Sequence, residues 1–290
     1  MTHTSRTASP LVDARSLMAV HGHPSLVLIE ASFDLADPTA GERTWAEGHV
    51  PGAQYLHLEH DLSGERLAPG PGFTGRHPLP RRSTFAALAG RRGIGPSTRV
   101  VAMDRQGGPY AARLWWMLRW LGHSGVWVLD GGVEAWLAAG GALTTEVPHV
   151  TALPPYPRTP ATMPTISGDA LQRGLGRISL IDARGPERFR GEVEPLDRVA
   201  GHIPGAINRP YKDNLEATGR FKARERLARE FGELLGSRSP DGVVHQCGSG
   251  VTACHNLLAM EAAGLPGASL YPGSWSAWSA DPSRPVARGG

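Results

Sequence analysis

The segment Cys247-Gly248-Ser249-Gly250-Val251-Thr252 places a thiol at the head of a glycine-rich turn. Before it, Gly242-Val243-Val244-His245-Gln246 reads as a strand. After it, Val251 to Ala263 reads as an apolar helix. In open α/β sheets, ligands bind where a loop leaves a strand and opens a helix. Glycines there let backbone N–H groups converge on one point, and the helix turns its positive end toward the same point. Such a nest favours the thiolate, which is the nucleophile, and stabilises negative charge on whatever the sulfur becomes. Two chemistries use a thiolate held this way. Phosphoryl transfer needs an arginine at the sixth position after the cysteine to grip the phosphoryl oxygens. That position is Ala253, so phosphatase and arsenate-reductase readings lose their main electrostatic group. Sulfur transfer needs only the thiolate, which takes a sulfur atom, holds it as a persulfide and passes it on in two covalent steps.

The other cysteine, Cys254, falls seven residues later on the helix. Two turns separate the Cα atoms by about 10 Å, beyond the ~7 Å limit for a disulfide. A buried packing role is expected for it.

The elements that must position this loop occur twice. Residues 48–53 read Gly-His-Val-Pro-Gly-Ala and residues 201–206 read Gly-His-Ile-Pro-Gly-Ala. Upstream lie Leu28-Ile29-Glu30-Ala31 and Leu180-Ile181-Asp182-Ala183. Downstream, the strand Arg99 to Met103 and the helix Tyr110 to Leu121 match the strand and helix around Cys247. Val126 to Leu129 with Gly131 and Trp136 then matches Ala268 to Tyr271 with Gly273 and Trp278. Strands alternating with helices predict two α/β domains, each a central, mostly parallel sheet flanked by helices. The expected boundaries are 1–140 and 166–290, joined by a proline-rich linker at 141–165. Superposing the halves sets Asp104 opposite Cys247, so only the second half carries the nucleophile. His49 and His202 recur in both halves, which assigns them to turn structure rather than to chemistry.

Composition bounds the rest. A chain of 290 residues with 40% hydrophobic and 20% charged residues is that of a folded globular protein. The 37 glycines and 25 prolines argue against coiled coils and helical solenoids. Net charge is +3, and the basic residues, only two of them lysines, are scattered without a basic run. Nucleic-acid binding is therefore not indicated, whereas an arginine pocket for a small anion remains open. No run approaches the ~20 apolar residues of a membrane helix, and the first residues lack a signal-peptide core. The expectation is a cytoplasmic protein without membrane attachment.

Taken together, these motifs resemble the two-domain rhodanese family of thiosulfate and 3-mercaptopyruvate sulfurtransferases. The likeness includes the duplicated Gly-His-x-Pro-Gly-Ala, the Trp115-Trp116 helix with Leu129-Asp130-Gly131-Gly132, and Tyr271 to Trp275. The resemblance implies an inactive first domain, with Asp104 at the cysteine position, and an active Cys247. Mercaptopyruvate-type members resemble this loop, whereas thiosulfate-type members carry an Arg-Lys pair after the cysteine. Here Gly248 and Ser249 stand there, and a neutral loop suits a monocarboxylate. The family's substrate arginine maps onto Arg188, with Arg184 and Arg190 as structural neighbours. A second substrate arginine has no counterpart in register, and Arg198 is the nearest substitute. A Ser-His-carboxylate relay would use Ser249, His77 and Glu59, with Asp61 nearby. Its bland alternative is that His77 and Glu59 lie in a solvent-exposed interdomain loop. Trp275 is expected either to line the pocket or to pack in the core.

The substrate-binding set implied is thus Arg188, Gly248, Gly250, Val251, Thr252, Arg198 and Trp275. No metal or organic cofactor is implied. Expected partners are a small anionic sulfur donor and a cyanide, thiol or protein-thiol acceptor. A monomer is expected, because the duplicated chain builds its own interdomain cleft. Three alternatives remain: a thiosulfate donor with the same persulfide, a non-catalytic rhodanese-like sulfur-relay or binding module, and a zinc site from Cys247, Cys254, His255 and His245, whose spacing matches no recognised pattern.

Overall fold

A computed structural model describes residues 9–70 and 72–290. The first half runs β1 (Leu11–Val12), α1 (Ala14–Val20), β2 (Leu26–Glu30), α2 (Ala40–Glu47), β3 (Ala53–Tyr55), α3 (Arg82–Arg91), β4 (Arg99–Met103), α4 (Pro109–Leu121), β5 (Val126–Leu129) and α5 (Gly132–Ala138). The second runs α6 (Gly168–Arg173), β6 (Ser179–Asp182), α7 (Pro186–Arg190), β7 (Ile207–Asn208), α8 (Arg224–Leu235), β8 (Val243–Gln246), α9 (Thr252–Ala263), β9 (Ser269–Leu270) and α10 (Ser274–Ala280). Every strand pair is parallel, in the orders β1-β5-β4-β2-β3 and β7-β6-β8-β9. A parallel bridge between Thr165 and Leu270 adds the counterpart of β1 beside β9. The second sheet therefore repeats the strand order of the first.

Strand alternation decides which side each residue serves. On β4, Val100 and Ala102 face one core and Val101 and Met103 another. On β8, Val243 shares a core with Cys247, and Val244 faces the opposite one. The core on the Cys247 side is continuous between the two halves. Its centre is α4 packed on α9. Both helices are buried nearly all round, including Leu114 to Leu118 and Ala253 to Met260, as expected of helices enclosed by protein on every side. The 141–165 segment is strapped down rather than free. Leu153 and Tyr156 donate backbone N–H groups to Gly90 and Ala86, and Tyr156 and Met163 are buried.

The duplicated histidines carry out the same structural task. His49 stacks on Trp45 at 4.2 Å and its Nδ1 lies 2.8 Å from the Trp45 carbonyl. His202 stacks on Phe189 at 3.9 Å with Nδ1 2.9 Å from the Phe189 carbonyl.

Candidate active site between the two halves

Cys247 leaves β8 and is 2% exposed. Its loop is held on several sides. The Gly250 N–H donates to Cys247 Sγ at 3.2 Å, and the Cys247 N–H donates to Ser274 Oγ at 3.1 Å. The first turn of α10 caps the loop carbonyls: Trp275 N–H donates to Cys247 O and Ser276 N–H to Gly248 O, both at 2.9 Å. Gly250 has φ +79°, and a Cβ there would lie 2.5 Å from the Pro272 carbonyl oxygen. Only glycine fits both conditions.

The equivalent loop of the first half shows what such a nest holds. The Asp104 carboxylate is fully buried and accepts N–H groups from Gln106, Gly108, Tyr110 and Ala111 at 2.7–3.0 Å. A carboxyl group occupies the place where the second half keeps its sulfur; burial raises its pKa, opposed by the backbone N–H groups it accepts.

A cavity of about 380 Å³ lies over Cys247 and takes walls from both halves. Gly248, Ser249, Val251 and Thr252 line it. Gly250 does not, and contributes through its N–H to the sulfur. The larger groove near Phe73 and Arg284, about 910 Å³, does not include the cysteine. His77 is 3% exposed, and its Nδ1 is 2.7 Å from Ser249 Oγ. The solvent-exposed alternative for His77 is thereby overturned: an otherwise irregular segment is pressed between the domains by their packing. Burial, and then the charges of Arg113, Arg76 and Arg66, pull its pKa down to about 3, so the ring is neutral at pH 7. Glu59 Oε1 stands 3.8 Å from His77 Nε2, beyond hydrogen-bond reach, and its side chain is 38% exposed. Asp61 accepts the His57 N–H and is not turned to His77.

Arg188 lines the cavity, with Nη2 2.7 Å and Nε 3.2 Å from the Glu194 carboxylate. Arg184 forks onto Asp182 and lies over Trp275, 4.8 Å from the ring centroid. Arg190 pairs with Glu192 at the surface. Two expected binding residues are placed elsewhere. Arg198 is exposed and does not line the cavity, because the short 194–197 turn faces the cavity with Leu196 instead. Trp275 does not line it either. Its ring is fully buried in the outer core of the second half and donates Nε1–H to Val199 O, so the core-packing alternative describes it.

Cys254 is buried, its Sγ 3.4 Å from the Gly250 carbonyl, and burial pushes its thiol up to about 12. Among the described residues, no three His, Cys, Asp or Glu side chains gather as metal ligands. His245 instead faces the Met260 sulfur.

Sequence reasoning passed over two residues. Arg76 adjoins His77 and lines the cavity, and its guanidinium pairs with Asp197 of the other half. Arg113, on α4, is fully buried and donates to the carbonyls of Leu62, His77 and Gly250 at 3.0–3.4 Å. Burial lowers its pKa, opposed by the neighbouring Cys254 and Cys247 sulfurs. The only signal for Arg113 was a charge in the middle of the apolar run from Ala111 to Leu118.

The neutral histidines set an acid limit on stability. His77 and His245 are held near about 3 and His255 near about 4, chiefly by burial. Their unfolded values lie near 6.5, so below that pH the unfolded chain binds more protons. Stability from these groups is complete above about pH 6.5 and is lost as pH falls toward about 4 for His255 and about 3 for His77 and His245. Urea midpoints measured at pH 7.5, 6 and 5 should fall in that order, and a flat profile would contradict buried neutral rings.

The fold and the cysteine loop define a class, and comparisons agree with it. The rhodanese-like domain family matches residues 5–139 and 167–281. The chain belongs to this family as a two-domain sulfurtransferase. It is 46% identical over 288 residues to the "Probable 3-mercaptopyruvate sulfurtransferase" of Pseudomonas aeruginosa, covering 98% of this chain and 99% of that one. It is 40% identical to the "Putative thiosulfate sulfurtransferase SseB" of Mycobacterium tuberculosis, covering 90% of each. Its structure matches the 3-mercaptopyruvate sulfurtransferase from Leishmania major with a TM-score of 0.79 at 28% identity, over 92% of this chain and 73% of that one. No helix among the described residues is long and apolar enough to cross a membrane.

Proposed function

We propose that the chain takes a sulfur atom from 3-mercaptopyruvate onto Cys247 and passes it to a thiol or cyanide. The observation that carries this reading is the Ser249 hydroxyl, two residues from the nucleophile and 2.7 Å from a buried, neutral His77. Loss of sulfur from a mercaptoketone leaves an enolate that must gain a proton, and a hydroxyl coupled to an imidazole serves that need. Thiosulfate leaves as sulfite and makes no such demand. The Gly248-Ser249 stretch, neutral in this chain, points the same way.

The Cys247 thiolate attacks the donor's thiol sulfur. The donor C–S bond breaks, and its electron pair goes to the pyruvate enolate. The enolate takes up a proton through Ser249 or water and leaves as pyruvate. Cys247 then carries a persulfide, solvated by the loop N–H groups. A thiolate or cyanide attacks the outer sulfur, the S–S bond breaks, and the Cys247 thiolate returns. Arg188 holds the donor carboxylate.

Thiosulfate is the second reading, supported by the names of several relatives. Intact-mass measurement after separate exposure to each donor tests both. We expect a gain of one sulfur, about 32 Da from its atomic mass, on Cys247 with 3-mercaptopyruvate. A tenfold or greater kcat/KM advantage for thiosulfate, about 1.4 kcal/mol of transition-state binding, would reverse the donor assignment. No gain with either donor would leave a binding module on a rhodanese fold.

A further inference from the structure

We infer that His57 is a positioning residue for the Ser249–His77 pair: as a hydrogen-bond acceptor, its ring caps the turn that carries Glu59 and so fixes a carboxylate beside His77. The inference rests on the mercaptopyruvate reading above, in which Ser249 and His77 serve the enolate.

β3 ends at Tyr55, and the chain turns soon after it. The Asp61 and Leu62 N–H groups donate to the His57 carbonyl at 2.9 and 3.2 Å. That leaves the N–H groups of Glu59 and His60 inside the turn. Both point at one atom, His57 Nδ1, at 3.1 and 3.4 Å. Asp61 reciprocates by accepting the His57 N–H at 2.9 Å. This is the arrangement of a helix N-cap, in which a side chain accepts the second and third N–H groups and a later carboxylate returns the bond. An imidazole here does what serine or aspartate usually does.

The partners fix the tautomer. Nδ1 receives two N–H groups, so it is bare. Nε2 lies 3.0 Å from the Pro38 carbonyl, which can only accept, so Nε2 carries the hydrogen. His57 is buried, with Phe33 edge-on at 5.2 Å and His60 stacked at 4.3 Å.

Glu59 depends on this turn for its direction. Its carboxylate accepts no hydrogen bond among the described residues. It borders a cavity of about 400 Å³ shared with His60, Glu65 and Arg66. The backbone that His57 holds is what brings Oε1 to 3.8 Å from His77 Nε2. His77 is anchored separately, by Arg113 at its carbonyl and Ser249 at Nδ1. Proton movement between Ser249 and His77 changes the charge of the ring, and a carboxylate beside Nε2 stabilises the protonated form. His57 does not line the cavity over Cys247, so it acts on the chemistry through Glu59.

The test follows Cys247 of the intact protein through each half of the reaction: loading by 3-mercaptopyruvate, then discharge of the loaded form to cyanide. His57→Leu removes the acceptor, and Glu59→Gln removes the charge. Each should slow loading about three- to tenfold, the scale of a partly exposed charge pair acting on a proton transfer. Discharge to cyanide protonates no enolate and should stay within about twofold of wild type. The double variant should load no more slowly than Glu59→Gln, because the two residues act as one unit. His57→Asn, whose Oδ1 accepts the same N–H groups, should load within about twofold of wild type. Independently of any variant, heteronuclear NMR of the ring nitrogens should find His57 with Nδ1 bare and Nε2 protonated. The opposite tautomer overturns the inference. So do wild-type loading in His57→Leu or Glu59→Gln, a His57→Asn variant as slow as His57→Leu, and an equal slowing of loading and discharge, each leaving the proposed function intact. Failure of the wild type itself to load from 3-mercaptopyruvate removes the proposed function, and the positioning role with it.

Discussion

Cys247→Ser should abolish sulfur transfer with every donor, by on the order of 10⁴-fold or more, and should leave the fold intact. The hydroxyl is nearly isosteric with the thiol and can accept the Gly250 N–H that the sulfur accepts at 3.2 Å. The loop is also tied by contacts that do not involve the side chain, from Trp275 and Ser276 to the carbonyls of Cys247 and Gly248. Its unfolding midpoint should therefore stay within a few degrees of wild type. What is lost is chemical: an alkoxide is not available at neutral pH, and oxygen cannot form the persulfide. Cys254 cannot substitute, because it is buried and its thiol is pushed up to about 12. Turnover retained in Cys247→Ser, or a sulfur adduct appearing on Cys254, would refute the mechanism.

The second large effect is expected at Arg113. This cation lies at 0% exposure in the interdomain core, and its hydrogen-bond acceptors are backbone carbonyls from both halves: Leu62 and His77 on one side, Gly250 on the other. Arg113→Met fills most of the volume but leaves those carbonyls without donors. Each orphaned buried acceptor costs about 1–3 kcal/mol, offset in part because a buried charge is itself expensive. A net loss of about 2–4 kcal/mol is expected, read as a drop of several degrees in the unfolding midpoint. Activity should fall as well, by about tenfold or more. Gly250 presents its carbonyl to Arg113 and its N–H to the Cys247 sulfur, and the His77 carbonyl is anchored by the same guanidinium. Arg113→Lys keeps the charge but cannot span three acceptors, so it should recover little. Wild-type stability and kcat in Arg113→Met would show that the buried arginine is dispensable.

These two residues mark how far the linear chain could be read. Cys247 was legible because its meaning is local: a strand, a turn that only glycine can make, and a helix follow one another within a few residues. The duplication was legible for the same reason, since each half repeats its own short-range pattern down to His49 on Trp45 and His202 on Phe189. The exclusion of phosphoryl transfer by Ala253 was likewise a matter of spacing along one loop. Trp275 marks the edge of this legibility. It follows a turn near the right sheet end, yet strand and helix periodicity could not say which face of the sheet it served, and it lies in the outer core.

The amino-acid sequence by itself thus determined two parallel α/β halves, the family and the class of chemistry, and it singled out the Cys247 loop as the place to expect the nucleophile. These rest on backbone propensities and contacts between near neighbours in the chain. Tertiary structure alone decided what surrounds the sulfur. It buried His77 against Ser249, carried Arg76 over Gly248, drove Arg113 between the halves, and left Arg198 outside in the solvent. Those placements depend on how α4 packs on α9 and how Arg76 and His77 are held against the second half. Such contacts join residues more than a hundred positions apart, and no periodicity in the sequence encodes them.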